Sequence, residues 1–274
     1  MERNTKLKNS SKEFRKFIRK ETRNTVLVHF LRCIVLVLFF VLWEVLAKNE
    51  VIDSFIISYP SKLWNTFLGL VDDGILAKHI EVTLLETVVS FALSTVIGLT
   101  TAIVLWWSWW IRKVSEPYII ILNALPKIAL GPIIILIVGA GYNAIITMSI
   151  LITVVITTID MLSGFTNVDQ NKILLLKSMN ANKFQILTKL ILPSSRATFI
   201  AVMKINVGLS WVGTIMGEYL VSKAGLGYLL VYGSQVFQLD LVMCSTVLLC
   251  VLAGGMYAVV DLIEKRFSRH KKVE

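Results

Sequence analysis

Residues Asn171 to Pro193 read NKILLLKSMNANKFQILTKLILP, a basic stretch set between two long apolar runs. Ile173, Leu176 and Met179 fall on one face of a first short helix, and Phe184, Leu187, Leu190 and Ile191 on one face of a second, with Asn180 or Asn182 as the break between them. Pro193 is expected to stop the second helix, and Ser194 or Ser195 to cap the next one. An apolar face on such an insert can rest on a membrane surface or in the groove of another protein. Periodicity alone does not choose between the two.

The surroundings are those of a membrane protein. Of 274 residues, 55% are hydrophobic and 17% charged, and the mean hydropathy of +0.72 is too high for a soluble domain of this length. The net charge of +10 does not point to nucleic acid, because the Lys and Arg residues lie in the gaps between apolar runs and are not interleaved with stacking aromatics.

Six runs of roughly 20 residues are long enough to cross a bilayer core. They lie near 28–47, 82–107, 117–138, 143–162, 196–217 and 241–261. The second ends in Trp106, Trp107, Trp109 and Trp110, an interfacial aromatic belt followed by Arg112 and Lys113. About 25 polar residues precede the first run and no small-residue cleavage site follows it, so it reads as an anchor and not a cleaved signal.

Charge sets the orientation. Nine Lys and Arg residues precede His29, two lie in 108–116, four in 163–195 and five after Asp261. The segment 48–81 has three against five acids, 139–142 has none, and 218–240 has only Lys223. Both termini and the 163–195 island are therefore expected in the cytoplasm. Phe14, Phe17 and Ile18 share a narrow apolar face, which fits an interfacial helix over 10–23 or a solvated basic tail. After Tyr59-Pro60-Ser61, Leu63, Trp64, Phe67, Leu68 and Val71 at helical spacing predict a short interfacial helix.

Reaction chemistry is missing from the pattern. There is no HExxH, GxSxG or GxxxxGK[ST], and His29, His79 and His270 are scattered, so no catalytic residue, metal site or cofactor is assigned to this chain. Cys33, Cys244 and Cys250 lie in apolar runs without metal spacing and read as buried small hydrophobes. Glu86, Asn123, Lys127, Lys204 and Asn206 lie inside apolar runs, where each should face the bundle or a water-filled path. Asn123 lies just ahead of, and Lys127 within, Leu125-Pro126-Lys127-Ile128-Ala129-Leu130-Gly131-Pro132, where two prolines each remove a donor and Gly131 loosens the helix, so a kinked or broken third span is expected. Gly139-Ala140-Gly141 and Gly225-Leu226-Gly227 read as tight outer turns.

The island resembles the cytoplasmic signature of binding-protein-dependent ABC importer permeases, written EAA, three residues, Gly, nine residues, Ile, one residue, Leu-Pro. Counted back from Leu192-Pro193, Leu190 takes the Ile position, Asn180 the Gly position and Leu174-Leu175-Leu176 the EAA position. The spacing is kept while the Glu and the Gly are not; Asn is the residue that best replaces Gly in a left-handed turn. Tyr59-Pro60-Ser61, the 125–132 segment, Ser210-Trp211, Gly217-Glu218 and Ala224-Gly225-Leu226-Gly227-Tyr228 are similar to the nitrate/sulfonate/taurine branch.

The resemblance implies an all-α polytopic type I importer permease in a bacterial inner membrane, with tails at 1–27 and 268–274 and a transmembrane domain at 28–267. It implies partners: ATPase subunits that bind ATP and Mg, an extracytoplasmic solute-binding protein, a second permease copy as a homodimer, and lipid. Leu174, Leu175, Leu176, Met179, Asn180, Lys183, Phe184 and Leu187 would carry the ATPase-coupling contact. Asn123, Lys127, Lys204 and Asn206 would line the path, with Lys127 or Lys204 supplying positive potential for an anion such as a sulfonate, taurine or nitrate. The competing expectations are an ion-gradient-driven transporter, a membrane scaffold, and a permease for a vitamin precursor.

Overall fold

The computed structural model describes residues 12–49 and 58–269, and all regular structure among them is helical. Residues 1–11 and 270–274, which belong to the two expected tails, lie outside the described residues. The chain divides into two compact units, residues 1–65 and 66–274.

In the first unit, α1 (Lys12–Lys48) is one continuous helix, so the interfacial segment expected near 10–23 is, from Lys12 on, an extension of the first span. Its outer end is tied by Glu44, which pairs with Lys48 at 2.7 Å and accepts hydrogen bonds from the backbone N–H and hydroxyl of Ser61. The second helix, α2 (Pro60–Asp72), begins here and continues into the second unit; Pro60 opens it, where a missing N–H costs nothing. Trp64, Leu68 and Val71 form its exposed apolar face.

The second unit is built on α3 (Ile75–Trp107), α6 (Tyr142–Thr166) and α9 (Arg196–Val221), three of the helices long and apolar enough to span a bilayer. Each turns a stripe of small and polar residues inward: Thr83, Thr87, Ser90 and Ser94 on α3, Ser149, Thr153 and Thr157 on α6, and Asn206, Ser210, Gly213 and Gly217 on α9. Lipid tails are as apolar as Leu, so greasy surface gives no net drive for helix association; close backbone approach and interhelical hydrogen bonds take its place. A Cβ added at Gly217 would lie 2.8 Å from Ile145 Cα, which fixes how closely α9 meets α6. Ser149 Oγ donates to the Ser210 carbonyl at 3.1 Å across the same contact.

The third span is broken as the sequence leads one to expect. It consists of α4 (Trp109–Ala124), a 3-10 turn (Lys127–Leu130) and α5 (Gly131–Val138), bent by 87°. Leu125, ahead of Pro126, adopts an extended conformation with ψ 137, the geometry a following proline favours. Gly131 has a different part from the one expected: its backbone is helical, and its missing side chain admits Leu220 and Met148.

Two features depart from expectation. Gly225-Leu226-Gly227 is no simple turn but the start of α10 (Leu226–Gln235), which packs on α11 (Leu239–Arg269). Pro193 does not stop the helix before it: α8 (Lys183–Ile186) runs into a π turn (Leu187–Ile191) and a helical turn (Leu192–Ser194), and only Ser195 separates these from α9. The wider π turn ahead of Pro193 accommodates the ring and absent N–H that would break a regular helix. Ser195 is not a side-chain cap; its hydroxyl donates to the Gly164 carbonyl at 3.1 Å.

Candidate functional site

The cytoplasmic island folds as two helices back to back, α7 (Gln170–Ser178) and α8. Asp169 caps α7 by accepting from Asn171 N–H at 2.9 Å. At its end Asn180 has φ +56, Ala181 N–H bonds the Leu176 carbonyl at 3.0 Å and Asn180 N–H the Lys177 carbonyl at 2.9 Å. This paired pattern is a Schellman motif with Asn in the left-handed position usually held by Gly. Two residues on, Asn182 accepts from Gln185 N–H at 2.8 Å while Gln185 Oε1 accepts from Asn182 N–H at 2.9 Å, a reciprocal capping box. The turn thus satisfies its own backbone and leaves its outward side chains without structural duties.

Burial divides the expected coupling residues into a base and a face. Ile173, Leu176, Leu187 and Ile191 pack with Ala102, Met161, Phe165 and Val202 in one apolar cluster. Leu174, Leu175, Met179 and Phe184 point away from it and are 57–70% exposed. Met179 therefore leaves the face it was expected to share with Ile173 and Leu176, because the Schellman turn begins there. Leu187, at 5% exposed, belongs to the base and is unavailable to a partner. Lys183 turns back to the membrane domain: its Nζ donates to the Trp107 carbonyl at the end of α3 and lies 5.6 Å from that indole's centre.

The four residues expected along a path separate. Asn123 is exposed and Lys127 half-buried at the break of the third span, where Lys127 Nζ donates to the Asn123 carbonyl at 3.1 Å. Asn206 is fully buried; it accepts from Thr157 at 3.0 Å and donates to Thr95 at 3.2 Å, joining α9, α6 and α3 at one point. Lys204 pairs with Asp261 at 2.8 Å and Glu264 at 2.5 Å on α11, and Lys265 also holds Asp261 at 2.6 Å, so two cations face two anions. For Asn206 and Lys204 the expected exposure to a path gives way to the tying of helices.

Sequence reasoning missed the centre of the outer end. The Glu218 carboxylate, 1% exposed, accepts from Gly227 N–H at 2.5 Å and from Thr83 Oγ1 at 2.6 Å, and Thr83 accepts in turn from Leu226 N–H at 2.7 Å. His79 Nδ1 lies 2.9 Å from Gly225 N and 3.0 Å from its carbonyl. Glu218 and Thr83 thereby satisfy the orphan N–H groups of α10, where the helix dipole favours an anion. Gly225, at φ +115, and Gly227 are required because a Cβ at either would strike Glu218. Glu86, also 1% exposed, adjoins Glu218.

Residues 94–273 match the family described as the inner membrane component of binding-protein-dependent transport systems, and the chain belongs to that family. It is 26% identical to the formylaminopyrimidine transport permease protein of Halalkalibacterium halodurans, over 69% of this chain and 74% of that one. It is 20% identical to the taurine transport system permease protein of Escherichia coli, over 82% and 84%. An inward-facing structure of a methionine ABC transporter superposes with a TM-score of 0.63 at 22% identity, covering 70% of this chain and 95% of that one. The fold is that of a type I importer permease, and the protein is a multi-pass transport subunit whose ATPase is a separate chain. Family membership decides against the ion-gradient and scaffold readings.

Proposed function

We propose that this inner membrane component forms, with a second copy of itself, the path by which a small solute is imported, and that ATPase subunits grip it at Leu174, Leu175, Met179 and Phe184. One observation carries the docking assignment: four large apolar side chains stand exposed on a turn whose backbone is internally satisfied and whose base is locked into the core. A solvent-facing loop has no use for such a patch, and a groove on a partner does. ATP-driven closure of the partner would move the docked turn and, through its buried base, switch the access of the path.

Asn123 and Lys127 are the proposed path lining, since one is exposed and the other half-buried at a break in the only bent span among the described residues. Lys127 then supplies the positive potential, and Lys204, balanced by Asp261 and Glu264, does not. An anionic cargo such as a sulfonate, taurine or nitrate is supported by the motifs shared with that branch and by the taurine permease relative. A vitamin precursor is the second reading, supported by the formylaminopyrimidine permease relative.

The docking assignment is tested by co-purifying the full chain with its ATPase after Leu175→Asp and Met179→Asp. The expected result is loss of the ATPase with membrane insertion unchanged; an ATPase retained at the wild-type ratio overturns the assignment. For the path, Lys127→Met should lower uptake of a radiolabelled sulfonate into proteoliposomes of the reconstituted complex, and Lys204→Met should leave the cargo preference alone. Equal uptake by Lys127→Met and wild type removes Lys127 from that role.

A further inference from the structure

Between the first half of the broken span and α6 lies a groove of about 360 Å³ to which neither docking nor the proposed path assigns a role. Its lining changes character along its length. At the cytoplasmic end stand Arg112, Lys113 and Glu116 from α4, with Ser163 and Thr166 from α6; deeper in the span the lining is mostly aliphatic, with Ile119 and Ile120 facing Ile159 and Leu162, and the one hydroxyl there, Thr158, is spent on the backbone carbonyls of Val154 and Gly98. Lys113 is engaged by Glu116 at 3.3 Å. Arg112, half-buried, has no ion pair and no side-chain hydrogen bond among the described residues. The rim is therefore left with one uncompensated guanidinium and neighbouring hydroxyls. It sits at the depth of the belt formed by Trp106, Trp107, Trp109 and Trp110, where headgroups meet acyl chains.

A small free anion would need the rim but has no use for an aliphatic floor below it, and a neutral acyl chain would need the floor but not the cation. An amphiphile with a negative head and a tail directed toward the membrane centre matches both. We propose that this groove binds one anionic phospholipid of the cytoplasmic leaflet, its phosphate at Arg112 and an acyl chain along Ile119, Ile120, Ile159 and Leu162. Guanidinium presents a planar fork of donors that fits phosphate oxygens, so Lys at 112 would be a poorer substitute. The lipid becomes a structural wedge between α4 and α6, beside the end of α3 to which Lys183 is fastened.

The test is native mass spectrometry of the full chain, with whatever subunits accompany it, titrated with phosphatidylglycerol or phosphatidylethanolamine of identical acyl chains. Phosphatidylglycerol should be retained preferentially as one adduct, and Arg112→Gln should weaken that retention about fivefold, the contribution of one interfacial cation, without changing phosphatidylethanolamine. Leu162→Trp keeps every charge but fills the floor, so it should abolish the preference. Unchanged binding by Leu162→Trp would show only diffuse attraction to a basic surface and overturns the site. Displacement of the lipid by millimolar inorganic phosphate would reveal a free-anion site instead, and equal retention by Arg112→Gln and wild type overturns the proposal outright. Quenching of tryptophan fluorescence by brominated phosphatidylglycerol in excess of that by brominated phosphatidylethanolamine, an excess reduced in Arg112→Gln, provides a second readout independent of complex stoichiometry.

Discussion

The second unit reverses direction at its two ends by opposite means. At the outer end the chain turns from α9 into α10 around a buried carboxylate, with Glu218, Thr83 and His79 reaching into Gly225-Leu226-Gly227 from other parts of the sequence. At the cytoplasmic end it turns from α7 into α8 with a Schellman motif and a capping box, using only residues within the turn. The outer reversal commits Glu218, Thr83 and His79 to holding backbone. The inner one holds its backbone locally, which leaves Leu174, Leu175, Met179 and Phe184 free to face outward. Where a turn must also be a contact surface, local capping is the arrangement that makes both possible.

The contrast can be broken hardest at Glu218. Glu218→Ala removes the acceptor for Gly227 N–H and Thr83 Oγ1 in a fully buried place, and should destabilise the protein by about 3 kcal/mol, the cost of leaving two buried donors unpaired. Thermal unfolding of the detergent-solubilised chain measures it; a melting point equal to wild type would mean the outer end is not held as described. At the inner turn Asn180→Val should cost about 1–2 kcal/mol, because a β-branched residue resists φ +56, while Asn180→Gly should match wild type. If Val and Gly melt alike, the left-handed turn is not the stable form.

A smaller effect is expected in the seam between the ends. Asn206→Ala should lose about 0.6–1.7 kcal/mol as its bonds to Thr95 and Thr157 vanish, and a cycle with Thr157→Val should show the two sites coupled. Additive losses would argue against the tie. The least change in stability should come from Leu175→Ser, within about 0.5 kcal/mol of wild type as for other exposed positions, even as ATPase co-purification falls. A large drop in melting temperature there would place Leu175 in the base instead of on the face.

The spans were legible because lipid demands long apolar runs, and the break at Pro126 because two prolines and a glycine in eight residues leave few alternatives. Asn180 could be read from one physical fact, its tolerance of positive φ. The outer knot could not, since Thr83 and Glu218 are 135 positions apart and nothing local to either one announces the other. The apolar sequence of α10 likewise gave no sign that its first N–H groups find acceptors on other helices. Periodicity also misjudged Met179 and Leu187, for a helical face says which side chains align but not which side of the alignment meets the core. Pro193 misled because a single π turn is invisible to a pattern based on 3.6 residues.

That π turn has a mechanical consequence. From Lys183 to Val221 the backbone is helical throughout except at Ser195, so a single non-helical residue separates the segment that carries Phe184 from the helix that carries Glu218. A push at Phe184 would have a helical route along the chain toward Glu218, interrupted by one non-helical residue. Stiffening or softening position 195 should therefore alter how much of a push at one end arrives at the other, without touching either end.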